Sequence, residues 1–184
     1  MAELEQLVEI RLATPDDAPI IARQRTQMFL DMGSATEEIS EALIRASVEY
    51  HRRVIERGEY TGWLAAVREM SPRDMPSHVV GSVGALVRQI PPFPFIDAAG
   101  NRSVAMGKQA LVVNMYVEPS WRRRGLAERL MMGVLAWSRR EKIDRLVLHA
   151  SAEGKSLYEK LGFVMTNEMR LAPSATIPPA TIPA

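Results

Sequence analysis

Apolar residues recur along this chain with two periods, and the changes of period divide it into elements. Val8, Ile10 and Leu12 alternate with Glu9 and Arg11, the pattern of a half-buried first strand, and Thr14-Pro15-Asp16-Asp17 reads as a helix start. A helix through Ile20, Ile21, Gln24 and Met28 follows. A second is expected over residues 37–57, with Ile39, Leu43, Ala46, Tyr50 and Val54 on one face, its polar face in solvent and Gly58 as its stop. Residues 63–67 and 79–87 then read as two antiparallel strands around the turn-rich stretch 71–77.

Pro91-Pro92-Phe93-Pro94-Phe95 and Ala98-Ala99-Gly100-Asn101 break both periods, so a long loop is expected there, of the kind that often binds ligands. Leu111-Val112-Val113 is a buried-strand run, and Leu126, Leu130, Met131, Val134 and Trp137 return at helical spacing. Leu146-Val147-Leu148 reads as another buried strand, residues 153–161 as a short helix, and residues 163–171 as closing strand. The order is one strand, two helices, then β-β-β-α-β-α-β.

Between the run at Leu111 and the helix at Leu126 lies Asn114-Met115-Tyr116-Val117-Glu118-Pro119-Ser120-Trp121-Arg122-Arg123-Arg124-Gly125-Leu126-Ala127. Here a strand enters an Arg/Gly turn that opens an amphipathic helix. A helix start leaves its first backbone N–H groups without intrahelical partners and carries partial positive charge, so it accepts phosphate oxygens. Gly125 lets the backbone approach a ligand, and Arg122, Arg123 and Arg124 supply cationic donors around the mouth. A basic tripeptide in a turn is also a common solvated surface, and the flanking strand and helix favour the anion site.

With 184 residues, the chain suits one domain able to bury a sizeable core. Its 47% hydrophobic and 24% charged residues read as an ordinary globular composition. A formal net charge of +1 gives no field for nucleic acid or an anionic membrane, so basic character acts locally. The absence of cysteine removes disulfides, thiolate nucleophiles and Cys-based zinc sites. Met1-Ala2-Glu3-Leu4-Glu5 lacks the order of a secretory signal, and no apolar run approaches the roughly 18 residues of a membrane span, so a cytoplasmic location is expected.

Arg122-x-x-Gly125-x-Ala127 resembles the Q/R-x-x-G-x-G/A pyrophosphate loop of the GNAT superfamily of acyl-CoA-dependent N-acyltransferases. Ser156-Leu157-Tyr158-Glu159-Lys160-Leu161-Gly162-Phe163 is similar to that family's helix-to-strand element, A-x-x-L-Y-x-x-x-G-F. The two blocks stand in the family's order. The resemblance is sharp over residues 111–171 and implies an α/β fold with a single mixed, mostly antiparallel central sheet flanked by helices, in the order β-α-α-β-β-β-α-β-α-β(-β). It implies one acetyltransferase domain over residues 1–172.

The same resemblance implies acetyl-CoA as acyl donor, with no metal, and a small-molecule or peptide amine as acceptor. The pantetheine arm lies along the diverging strand like an added strand, so the backbone of Met115, Tyr116 and Val117 is expected to meet it and the acyl carbonyl. The amides of Arg123, Arg124, Gly125, Leu126, Ala127 and Glu128 are expected to meet the pyrophosphate. Many relatives carry an asparagine that touches the pantetheine where this chain has Ser151, which keeps a donor and an acceptor at shorter reach.

Tyr158 occupies the family's general-acid position, where a hydroxyl protonates the sulfur that leaves when an amine attacks the thioester directly. A thiol with a reference pKa of about 8.5 is a tolerable leaving group, so this help is modest. Removing a proton from an alkyl ammonium of pKa about 10.4 is harder, adding roughly 4.6 kcal/mol at neutral pH. Some family members use a glutamate in the strand before the tyrosine helix, but Arg145-Leu146-Val147-Leu148 supplies none. Tyr116, His149 and Glu118 remain as candidate bases. A catalytically silent acyl-CoA-binding domain of the same fold is the competing reading.

His51, His78 and His149 are scattered without ligand spacing, which speaks against a metal site, and the isolated tryptophans form no base-stacking platform. Residues 173–184, with their near-duplicate Ala-Thr-Ile-Pro pentads, read as a flexible extended tail; a tail docked in a homodimer is the other reading. Asp31 is a lone acidic group in Phe29-Leu30-Asp31-Met32-Gly33, suited to an acceptor ammonium, and Phe93 and Phe95 are suited to wall an apolar acceptor.

Overall fold

The structure is a computed structural model and describes residues 7–67, 78–96, 99–166 and 168–169. The chain divides into two compact units, Met1–His149 and Ala150–Ala184. The expected turn at 71–77 and the tail at 173–184 lie outside the described residues.

In the first unit, strands β1 (Val8–Leu12), β2 (Tyr60–Val67), β3 (Val79–Gln89), β6 (Lys108–Val117) and β7 (Arg145–Leu148) form one sheet in the order β1-β2-β3-β6-β7. Every pairing is antiparallel except β6 with β7, which are parallel. A parallel pair needs a crossover, and helix α3 (Leu126–Arg140) provides it. Helices α1 (Ala18–Asp31) and α2 (Glu37–Glu56) follow β1.

Alternation along β2 assigns the faces. Leu64 packs with Ile21 of α1 and Val54 of α2 in a buried cluster with Tyr60. The neighbouring Trp63 points the other way and meets Trp137 of α3 edge-on at 5.5 Å between ring centroids. Thus α1 and α2 cover one face of the sheet and α3 the other.

Two expectations are corrected. Two segments of the expected loop are strands: β4 (Phe93–Ile96) pairs antiparallel with β5 (Arg102–Ala105) as a separate two-stranded sheet. A two-stranded sheet is all edge, so Pro94 sits in it without breaking an interior ladder. The buried stripe of α2 is Ser47, His51 and Val54, while Tyr50 is exposed, as are Ala46 and Ile39. The helix is turned away from the expected face because its polar groups meet a buried polar cluster on the sheet.

In the second unit, α4 (Lys155–Lys160) carries the tyrosine block. The closing strand expected at 163–171 is absent among its described residues; positions 167, 170 and 171 lie outside them.

Candidate active site

Strand β6 carries a bulge. Gly84 pairs with Val113 and Ser82 with Tyr116, so Asn114 and Met115 together oppose Val83. Asn114 has φ 57°, the left-handed region that asparagine tolerates better than most residues. Such bulges bend a strand and re-aim its side chains. The ladder to β7 runs only from Gln109–Arg145 to Val112–Leu148, so residues 113–117 continue past their parallel partner. Among the described residues no strand pairs with β6 on that side beyond Val112, so the stretch from Met115 to Val117 is a strand edge, on which the Arg122 side chain meets the Val117 carbonyl.

That edge leads into the Arg/Gly turn. Arg122 donates from Nε to the Val117 carbonyl at 2.9 Å, pairs with Asp31 at the end of α1, and lies 5.6 Å from the Tyr116 ring centroid. The Asp31 partnership holds the Arg122 pKa above its ordinary value. Asp31 also accepts from Gln27 at 2.8 Å, and that bond, then Arg122, lowers its carboxyl pKa. Two readings change accordingly. Arg122 clamps the turn rather than offering a free cation, and Asp31 is already paired rather than waiting for an ammonium.

Arg124 stacks on Trp121 at 5.2 Å, and exposed Arg123 has φ 63°. Gly125 stands at the N-cap of α3 with φ 82°, and no side chain caps the helix. The first intrahelical bond runs from the Arg129 N–H to the Gly125 carbonyl, so the amides of Leu126, Ala127 and Glu128 precede the helical ladder. Nothing lies within 4 Å of the point where a Cβ on Gly125 would stand, so open space adjoins those amides. The Leu126 side chain is buried in the core, which leaves only its main chain for a ligand. An uncapped helix start, open space and adjacent cations suit a pyrophosphate.

Behind the bulge lies a polar cluster that periodicity alone does not reveal. The buried Asn114 side chain accepts from Arg25 Nη1 through Oδ1, and its Nδ2 donates to His51 Nε2 at 2.9 Å and to the Tyr60 hydroxyl at 3.2 Å. His51 Nδ1 lies 2.6 Å from the Ser47 carbonyl, which cannot donate. Nδ1 therefore carries the ring proton and Nε2 accepts, which in turn fixes the orientation of the Asn114 amide. Burial lowers the His51 pKa and pushes the Tyr60 phenol up to about 12. An asparagine inside the apolar run of β6 was the signal that could have found this cluster.

Within the second unit, Ser151 Oγ accepts from the Gly154 N–H at 3.1 Å, in the turn that leads to α4. Tyr158 is buried, meets Phe163 edge-on at 6.0 Å, and has its pKa raised by burial.

Residues 99–172 match the sequence model of the acetyltransferase (GNAT) domain. The fold is similar to a GCN5-related N-acetyltransferase from Ralstonia eutropha at 26% identity, covering 91% of this chain and 99% of that one, with a TM-score of 0.74. Residues 99–172 thus carry the match to the GNAT acetyltransferase domain, and the fold is that of its solved relatives. A predicted acetyltransferase with acetyl-CoA from Clostridium acetobutylicum shares the fold at 20% identity, with 90% and 96% coverage and a TM-score of 0.68. So does the aminoglycoside N-acetyltransferase AAC(6')-Iy in complex with CoA, at 14% identity, 92% and 95% coverage and a TM-score of 0.60. Among curated proteins no relative matches.

The stretch that matches the GNAT domain takes in β6, the Arg/Gly turn, α3 and Tyr158, whereas α1 and α2, which supply Arg25 and His51, precede it. Of the three candidate bases, Glu118 faces His78 Nε2 at 3.1 Å and His149 is exposed just beyond β7. The Tyr116 phenol is pushed up first by burial and then by Asp31, so it holds its proton at neutral pH and is a poor base. Phe93 does not wall an open site: the Arg145 guanidinium lies 3.9 Å from its ring centroid. Phe95 is exposed on β4. No helix among the described residues is long and apolar enough to cross a membrane.

Proposed function

We propose that this chain is an acetyl-CoA-dependent N-acetyltransferase of the GNAT superfamily that moves an acetyl group to a primary amine of a small molecule or peptide by direct attack, with residues 1–172 as its catalytic domain. One observation carries the reading. The edge of β6 runs from the bulge at Asn114 and Met115 directly into an uncapped helix start with open space at Gly125.

Acetyl-CoA, when bound, supplies an acetyl group activated as a thioester. The main chain of Met115, Tyr116 and Val117 holds its amide-bearing arm and orients the acyl carbonyl, because an unpaired strand edge presents N–H and C=O groups at the spacing that such an arm needs. The amides of Arg123 through Glu128 hold the pyrophosphate, with Arg123 and Arg124 adding charge and Arg122 fixing the turn. Ser151, engaged as an acceptor, retains a hydroxyl hydrogen to donate. Tyr158 keeps a phenolic proton at Oη for the departing sulfur. Its raised pKa makes it a weak acid, so its contribution is modest.

The test is to mix the protein with acetyl-CoA and a broad panel of primary amines while following free thiol, with acetyl-CoA affinity measured by calorimetry. Amine-dependent thiol release supports transfer. Tight binding without release for any amine would favour a silent acyl-CoA-binding domain, and absence of binding would remove the phosphate-loop assignment as well.

A further inference from the structure

Arg25 is half-buried on α1, yet its neighbours among the described residues include no carboxylate. Its guanidinium donates to Asn114 Oδ1, a neutral amide, and lies 4.7 Å from the Phe29 ring centroid. Burial holds its pKa below the ordinary arginine value, and the only described side chains that counter this are the phenols of Tyr60 and Tyr50, neither of them a carboxylate. A guanidinium offers five N–H donors in a planar fork, so one bond to an amide leaves most of that fork unused. Partial desolvation of a cation is costly without a compensating anion, and an arginine fork matches a carboxylate in a bidentate pair.

Its position gives the unused fork a role. The bond to Asn114 places Arg25 beside the β6 bulge, on the sheet face covered by α1 and α2 and next to the main chain assigned above to the acyl carbonyl. Phe29 backs the guanidinium plane, and Asn114 is itself locked by His51 and Tyr60, so the fork is held in one orientation before any ligand arrives. We propose that Arg25 binds the carboxylate of the acceptor, so that the acceptor is an amine bearing a carboxylate, as in an amino acid, with Asn114 setting the arginine's position. This deepens the transferase reading and rests on it.

Paired acceptors provide the test: phenylalanine against phenethylamine, leucine against isoamylamine, and lysine against cadaverine, each with acetyl-CoA and thiol detection. At least one amino acid should be acetylated with a kcat/KM about 10- to 100-fold above that of its decarboxylated partner, the scale of one charged hydrogen-bonded pair. Arg25→Gln should abolish that preference by raising the acceptor KM while acetyl-CoA affinity and melting temperature stay near the wild-type values. Arg25→Lys, which keeps the charge and loses the fork, should fall between them.

Equal use of both members of every pair, or a preference that survives Arg25→Gln, would overturn the carboxylate site and leave the transferase reading standing. If no amine in either set releases thiol, the transferase reading fails and the site is judged by calorimetry with N-acetylphenylalanine in the presence of CoA. Binding that Arg25→Gln removes would then retain the site, and absence of binding would overturn it.

Discussion

The Tyr60 hydroxyl stands 2.0 Å from the point where a Cβ on Gly84 would lie, so the phenol occupies the space that any larger residue on β3 would need. Gly62, directly across the ladder from Gly84, is 2.9 Å from the same ring by that measure. Two glycines thus make room for one buried tyrosine, whose hydroxyl then reaches the Asn114 amide.

Gly84→Ala is accordingly expected to expel or tilt the Tyr60 ring and destabilise the protein by about 1–3 kcal/mol, the usual cost of overpacking a core. Urea denaturation followed by tryptophan fluorescence measures this. An unchanged midpoint would mean that the ring has room to move.

The His51 cluster makes stability depend on pH. Burial depresses the His51 pKa, and Asn114, Tyr60, Tyr50 and Arg25 surround its ring, with no carboxylate among its described neighbours to favour the cation. The stability contributed by the neutral ring is complete above the unfolded pKa of about 6.5 and is lost as pH falls from there through the lower folded value. The urea midpoint of the wild type should therefore drop between pH 7.5 and 5. His51→Gln, which keeps an acceptor for Asn114 but does not titrate, should flatten that drop.

Gly125→Glu should leave the fold intact, since open space surrounds the new Cβ, while the left-handed φ of 82° costs about 1–2 kcal/mol. A carboxylate beside the phosphate cradle should weaken acetyl-CoA about 100-fold or more, as like charges brought together cost several kcal/mol. Gly125→Ala separates strain from charge. Calorimetry on both variants decides the matter, and wild-type affinity in the glutamate variant would place the pyrophosphate elsewhere.

Tyr158→Phe should lower turnover by about tenfold to a hundredfold with little change in acetyl-CoA affinity, because the phenolic proton matters only as charge develops on sulfur. The raised pKa puts the expected loss at the lower end of general-acid effects. Steady-state kinetics across pH provide the check, and full activity at every pH would assign protonation of the sulfur to water.

Local features of the chain were legible without tertiary structure. The Arg122 to Gly125 turn, the helix that follows and the Leu157-Tyr158 block announced themselves because helix starts, left-handed glycines and apolar periods are written within a few residues. The order of strands and helices followed from the same signals, whereas the mixed, mostly antiparallel sheet was implied by the family resemblance.

Tertiary structure decided the partners. Asp31 reads as a lone acid until the chain brings Arg122 to it from 91 positions away, and Phe93 reads as a binding wall until Arg145 stacks on it. The face of α2 was misread because its buried stripe includes His51, whose Nε2 finds its partner in Asn114 on another element. Hydrophobic period records which residues avoid water, and it says nothing of polar groups that are buried because a distant partner satisfies them. Arg25, Asn114, His51 and Tyr60 form one cluster only once the sheet and its two covering helices are assembled.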